Sequence, residues 1–74
     1  MNISVKEINK HIEEFKQTGK GPKLLVIGYM TYSKLMKDQK FHEHVTKDIK
    51  DLMIRYYRGI EIKMVTKKHH FEIQ

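Results

Sequence analysis

The sequence contains one continuous apolar run, and this run most restricts what the chain can fold into. It covers residues 24–27 (Leu-Leu-Val-Ile), follows Gly21 and Pro22, and ends at Gly28. A short run rich in aliphatic residues and bounded by glycine and proline is typical of a strand that is buried on most of its surface. We therefore expect a central strand over residues 23–29, against which the amphipathic segments of the chain pack.

The length of the chain predicts one small domain, residues 1–74, without cysteine. A domain of this size buries only roughly 60–65% of its unfolded surface, and no disulfide can stabilise it. No segment approaches the ~20 apolar residues of a membrane span, and the start of the sequence lacks the apolar core of a signal peptide. We expect a cytoplasmic protein without membrane association, stabilised by packing or by self-association.

An amphipathic helix is predicted over residues 4–18. Ser4 followed by Glu7 is a capping-box pattern, in which the serine hydroxyl accepts from the Glu7 amide and the carboxylate reaches back. Gly19 suits a left-handed C-terminal cap, and Pro22 prevents continuation. The apolar residues recur at spacings of three and four, which places them on one stripe: Val5, Ile8, Ile12 and Phe15.

A second helix is predicted after the central strand. Thr31 or Ser33 can cap its start, because both hydroxyls can accept from backbone amides of a first turn. Its apolar face comprises Tyr32, Leu35 and Met36. Residues 38–40 (Asp-Gln-Lys) either break or kink this helix, and the sequence leaves both possibilities open.

Residues 41–57 allow two interpretations. As a helix, their charged residues alternate in sign at four-residue steps, and each pair adds ~0.2–0.5 kcal/mol. As a strand, only Leu52, Ile54 and Tyr56 alternate, although residues 53–57 have high β propensity. The longer helical pattern favours a helix that stops at Gly59. Its apolar side comprises Phe41, Val45, Ile49, Leu52, Met53 and Tyr56.

Two further strands complete the predicted fold. Ile60, Ile62 and Met64 recur at every second position, and Phe71 and Ile73 do so in a short final strand. The predicted class is a two-layer α+β fold of order α-β-α(α)-β-β, with helices on one face of a small mixed sheet. The central strand and the strand at 60–65 should run parallel, and the last two strands should form an antiparallel hairpin.

The net charge of +6 raises the question of an anionic ligand. Ligands favour the carboxyl ends of parallel strands, and the free amides at a helix N-terminus attract phosphate. The alternative is that the hydroxyls only cap a helix and the lysines are solvated, since no glycine-rich phosphate loop is present. The residues that such a binding site would bring together are Tyr29, Thr31, Tyr32, Ser33, Lys34, Lys67 and Lys68.

Patterns that indicate catalysis or metal binding are missing from the sequence. His42 and His44 differ by roughly 200° around a helix, so they cannot share a metal ion there. No cysteine nucleophile and no G-x-S-x-G motif is present. The sequence therefore predicts no catalytic residue, no metal site and no cofactor, and a protein that is not an enzyme.

The predicted sheet leaves one face of its central strand without cover. Leu24 and Val26 point to that face, and Tyr57 is a candidate anchor because it and Tyr56 differ by about 100° on a helix. Exposed aliphatic patches mark contacts, and a symmetric homodimer is the simplest use of one. The sequence thus favours a small non-enzymatic protein-interaction module that self-associates and binds a partner protein. The alternative is a basic accessory factor that binds nucleic acid or another phosphate-bearing ligand.

Overall fold

Three helices and five strands follow one another in the computed structural model, which describes residues 3–74. The class is α+β, as the sequence predicts. The elements are α1 (Val5–Gln17), β1 (Leu24–Gly28), α2 (Tyr29–Met36), α3 (Gln39–His42), β2 (Val45–Lys47), β3 (Arg55–Tyr57), β4 (Ile60–Val65) and β5 (Phe71–Ile73).

The five strands form one mixed sheet of order β2-β3-β4-β1-β5. β1 runs parallel to β4, with Leu24 opposite Glu61, which confirms the predicted parallel pair. The predicted hairpin of the last two strands is wrong, because β1 lies between β4 and β5 and pairs antiparallel with β5. The connection after β4 crosses the end of β1 instead of folding back on β4, so β1 gains neighbours on both sides.

Helix α1 forms as its capping signals predict. The Ser4 hydroxyl accepts from the Glu7 amide at 3.1 Å, and Glu7 Oε1 lies 3.4 Å from the Ser4 amide nitrogen. After the helix ends, Gly19 adopts a φ of 88°, a left-handed conformation that glycine reaches without a steric penalty. Val5, Ile8 and Ile12 are buried, so the predicted stripe is the face that packs on the sheet.

One face of the sheet and all three helices enclose the core. The Phe41 ring of α3 stacks on the Tyr57 ring of β3, with centroids 4.4 Å apart and planes 10° from parallel. Both side chains are fully buried. The buried core cluster comprises Val5, Ile8, Ile12, Leu25, Ile27, Leu35, Phe41, Tyr57 and Ile60.

The predicted helix over residues 41–57 is wrong. Only residues 39–42 are helical there, and β2 and β3 follow as an antiparallel pair. Arg58 and Gly59, with φ of 50° and 82°, form the two-residue turn that joins β3 to β4, so Gly59 is a hairpin residue and not a helix stop. The alternating charges would stabilise a helix by only a small amount per pair, whereas strand formation buries Tyr57 and lets β3 hydrogen-bond to β4.

The second helix begins and ends at other residues than the predicted caps. Gly28 precedes its first turn, so neither Thr31 nor Ser33 caps it. The helix is broken after Met36, because Asp38 adopts an extended conformation. The carboxylate of Asp38 accepts from the Lys40 amide at 2.9 Å and so caps the short helix α3.

Gly28 is the one glycine among the described residues at which another backbone segment leaves no room for a side chain. Its N–H donates to the His70 carbonyl at 2.8 Å, and the β4–β5 connection passes directly over it. A Cβ at this position would overlap the Lys67 carbonyl oxygen and lie 2.8 Å from the Lys68 oxygen and the His70 nitrogen. Only glycine therefore allows β1 and this connection to coexist.

We expect Gly28→Ala to lower the free energy of unfolding by about 2–3 kcal/mol, since backbone atoms must move to admit the methyl group. Gly21→Ala is the matched control, because a Cβ there meets no atom within 4 Å. Urea denaturation of both variants measures the difference. Equal stability of the two variants would contradict the close approach.

Candidate functional site

The segment between β2 and β3 exposes large apolar side chains, and we call residues 48–54 the apolar loop. Ile49, Leu52 and Met53 are 96%, 65% and 82% exposed. The loop closes the β2–β3 pair, where the Asp48 amide donates to the Ile54 carbonyl at 2.9 Å. Single exposed apolar residues are ordinary, but three within five positions mark a contact surface.

Two aspartates hold the backbone of the apolar loop. Asp48 Oδ2 accepts from the amides of Lys50 and Asp51, each at 3.0 Å. Asp51 Oδ1 accepts from the Met53 amide at 2.9 Å. These side-chain turns satisfy amides that would otherwise need water, so the backbone of the loop has a defined conformation from which the apolar side chains project.

Tyr56 of β3 connects the Asp48 carboxylate to the sheet. Its hydroxyl donates to Asp48 Oδ1 at 3.1 Å. The Asp51 amide, the Tyr56 hydroxyl and the Lys50 amide together lower the pKa of Asp48. The same hydrogen bond raises the pKa of the Tyr56 hydroxyl, because loss of its proton would place two negative charges side by side.

Sequence reasoning missed this loop because it placed Ile49, Leu52 and Met53 on the buried side of a helix. Two signals in the sequence indicate the loop. Asp48 and Asp51 each precede by two residues an amide that they bind, which is the spacing of an Asx turn. The following Tyr-Tyr pair and the Arg-Gly dipeptide favour a strand and a hairpin turn.

The predicted lysines gather at the carboxyl ends of β1 and β4, and we call Lys34, Lys67, Lys68 and His69 the basic edge. Burial lowers the pKa of His69, and the positive charges of Lys34 and Lys68 are among the groups that lower it further. The pKa of Glu72 is lowered mainly by the Gln74 side-chain amide, and further by His70 and Lys67. The edge therefore concentrates positive charge.

The hydroxyl groups predicted for the same site do not converge with the lysines. Tyr29 and Ser33 are exposed, but Thr31 is buried and Tyr32 is half-buried with its ring edge against Phe41. Burial raises the pKa of Tyr32, an effect that the charge of Arg55 opposes. Within residues 3–74 the Thr31 and Tyr32 hydroxyls have no hydrogen-bond partner and sit inside the protein.

The helix amides predicted to bind an anion are already occupied. The Lys68 carbonyl accepts from the amides of Met30 and Thr31 at 3.0 and 3.3 Å. The chain thus caps α2 with its own backbone, and the close passage over Gly28 positions that carbonyl. The predicted phosphate site therefore has to be revised: its lysines are present, but these two helix amides are not available to bind a phosphate.

The predicted interface residues lie mostly inside the protein. Val26 is only 7% exposed on the face away from the helices, where Lys63 and Glu72 flank it in the neighbouring strands. Leu24 is half-buried on the same face. Tyr57 has no exposed surface, so it cannot anchor a surface contact. The expectation of an uncovered aliphatic face on β1 is therefore wrong for Val26, and Tyr57 is not part of any exposed surface.

Groups that could bind a metal ion do not assemble in the described part of the chain. No three histidine, cysteine, aspartate or glutamate side chains of residues 3–74 converge on one point. His44 instead lies 3.6 Å from the Glu43 carboxylate and edge-on to the Tyr57 ring. No helix among these residues is long and apolar enough to cross a membrane.

The fold and the site define a small α+β protein with an ordered apolar loop at one edge strand and a basic edge at the ends of β1 and β4. Comparisons of this chain with protein-family models, with curated proteins and with solved structures find no match.

We expect the order of the apolar loop to depend on the charge of Asp48. A lowered pKa means that the fold favours the carboxylate, so its stabilisation is present above the ordinary carboxyl pKa of about 4 and is lost as the pH falls through the lowered value. Hydrogen-exchange protection factors of the Lys50 and Asp51 amides should decrease over this range. Asp48→Asn, which cannot ionise, should abolish the pH dependence, and unchanged wild-type protection at pH ~2 would contradict it.

Proposed function

We propose that this protein is a small non-enzymatic protein-interaction module that self-associates through the apolar loop. The supporting observation is the exposure of Ile49, Leu52 and Met53 on a backbone that Asp48 and Asp51 hold in place. A fixed loop binds at a lower entropic cost than a mobile one, because its ordering takes place during folding.

The expected strength of this association follows from the apolar surface of the loop. Full burial of a large aliphatic side chain stabilises by ~1.5–3 kcal/mol, or about 5–9 kcal/mol for three. Association costs an estimated 4–15 kcal/mol of lost translational and rotational freedom, which is of the same order. The loop by itself therefore supports a weak and reversible complex.

The charge distribution favours a second copy of the chain as the partner. The protein carries a net charge of +6, which opposes the approach of two copies through most of their surface. The apolar loop contains one lysine and two aspartates, so it does not share this positive charge. The loop's net charge is only −1, so two loops can meet about a two-fold axis with little repulsion, and each then covers the apolar side chains of the other.

We expect the wild-type protein to form dimers as its concentration rises, and Leu52→Ser combined with Met53→Ser to raise the dimer dissociation constant at least about tenfold. Met64→Ser is the control, because Met64 is another exposed apolar residue, 46% exposed, outside the loop. Sedimentation equilibrium measures all three proteins. A wild-type protein that stays monomeric at millimolar concentration contradicts the proposal, as does equal weakening by both substitutions.

A second candidate function is the binding of nucleic acid or another phosphate-bearing polymer at the basic edge. The observation in its favour is that Lys67 and Lys68 are exposed beside the start of α2, where the Lys68 carbonyl accepts from the Met30 amide. Lysines that act as point charges on a polyanion bind without sequence preference and release counterions. The exposed Tyr29 at the start of α2 supplies one aromatic ring near these cations.

We expect Lys67→Gln combined with Lys68→Gln to weaken binding to duplex DNA and to reduce the slope of log K against log salt concentration by about 2. Gel shifts at several salt concentrations measure this slope. The Leu52→Ser, Met53→Ser protein keeps every lysine and should bind as the wild type does. No wild-type complex at low salt removes this second candidate.

A further inference from the structure

A groove with several charged and polar lining residues lies between the start of α1, α3 and the β3–β4 turn, and the apolar loop does not line it. Its volume is about 620 Å³, and Asn9, His44 and Arg58 are among its lining residues. A second groove of about 410 Å³ adjoins it, and Asn9 and Arg58 line that groove as well. Sites for small ligands typically enclose ~300–1,000 Å³, so the first groove has room for a small molecule.

The hydroxyl of Tyr57 fixes two polar side chains at the centre of this surface. It donates to Asn9 Oδ1 at 2.7 Å and accepts from Arg58 Nε at 3.3 Å. The guanidinium carbon of Arg58 also lies 5.7 Å from the centroid of the Tyr57 ring. Because that ring is buried and stacked on Phe41, the core of the protein determines where both side chains point.

These contacts leave the strongest donors of both side chains available for a ligand. Asn9 uses its carbonyl oxygen towards Tyr57, so its NH₂ group is directed elsewhere. Arg58 uses only Nε, and within residues 3–74 it forms no ion pair with a carboxylate. A guanidinium with two terminal nitrogens available binds anionic oxygens in pairs, with defined geometry.

The charged groups around the groove have a small excess of positive charge, which favours an anionic ligand. Lys6 and Lys40 line it together with Arg58, against the carboxylates of Asp38 and Glu43. Both carboxylates already have partners: Asp38 Oδ1 accepts from the Lys40 amide at 2.9 Å, and Glu43 Oε1 lies 3.6 Å from His44 Nε2. Three cations thus face two acids that are engaged in local contacts.

The two-residue turn requires a left-handed conformation at position 58, and an arginine adopts it at a cost that asparagine or glycine would largely avoid. With a φ of 50° Arg58 stands in the left-handed region, at a turn position that asparagine, aspartate or glycine normally fills. This conformation costs a residue with a Cβ roughly 1–2 kcal/mol. Strained residues of this kind are concentrated at binding sites, where a particular side chain is needed.

We propose that Arg58 and Asn9 bind the phosphate group of a small phosphorylated molecule in this groove, with Lys6 and Lys40 balancing its charge. The site is independent of the apolar loop, and it needs no helix terminus and no metal ion. Arg58 contributes the paired donors, and Tyr57 acts as the positioning residue for both ligand-binding side chains.

The test is the binding of inorganic pyrophosphate, measured by isothermal titration calorimetry at constant ionic strength. We expect saturable binding of one pyrophosphate per chain. Arg58→Asn should weaken it at least about tenfold, because the paired donors are lost. The same substitution should not lower the midpoint of urea denaturation, since Asn-Gly is the preferred sequence of this turn.

Lys63→Gln is the control for general charge attraction, because it removes one positive charge from the opposite face of the sheet and should leave binding unchanged. Arg58→Gly is a second variant that the turn accepts. Absence of saturable binding by the wild-type protein overturns the proposal. So does wild-type affinity in both Arg58 variants, or a loss in Lys63→Gln equal to that in Arg58→Asn.

Discussion

The stack between Phe41 and Tyr57 is the contact on which the rest of the structure depends. The two rings lie 4.4 Å apart, although a continuous helix over residues 41–57 would separate these positions by about 24 Å along its axis. Burying both rings therefore excludes the helix and brings β3 under α3. The same tyrosine also contacts α1 through Asn9 and the β3–β4 turn through Arg58. One side chain thus joins the helical layer to the sheet and determines the shape of the groove.

The elements that sequence reasoning predicted correctly are those with local signals. The capping box of α1, the bounded apolar run of β1 and the alternation in β4 each act within a few residues, and all three elements form where expected. The errors concern β2 and β3, which form because Tyr57 is buried against Phe41 and bonded to Asn9, and the pairing of β5 with the distant β1. Charge pairs at helical spacing indicate a helix even where tertiary packing favours another structure. A strand of three residues such as β2 is too short to show a recognisable alternation.

For the candidate sites, too, features that follow from predicted elements could be anticipated, and features that depend on tertiary contacts could not. The lysines of the basic edge were located because the parallel pair of β1 and β4 was predicted, and the ends of parallel strands meet. The occupied amides of α2 could not be foreseen, since the Lys68 carbonyl reaches them only through the passage over Gly28. The apolar loop was missed for another reason: the spacing of Ile49, Leu52 and Met53 fits a buried helical stripe, and hydrophobicity alone does not tell whether a side chain is covered. The groove at Arg58 combines residues from three elements and has no signature in the sequence.

The position of β1 has a consequence for the order in which the protein is made and folded. Both strands that hydrogen-bond to β1 come from beyond residue 59, although β1 itself ends at Gly28. Until β4 and β5 have emerged from the ribosome, the aliphatic side chains of β1 have no β partner on either side. Helix α1 can form as soon as it emerges, because its contacts are local. The sheet, in contrast, closes around β1 only once β4 and β5 have both been synthesised, so β1 waits for partners that come much later in the chain.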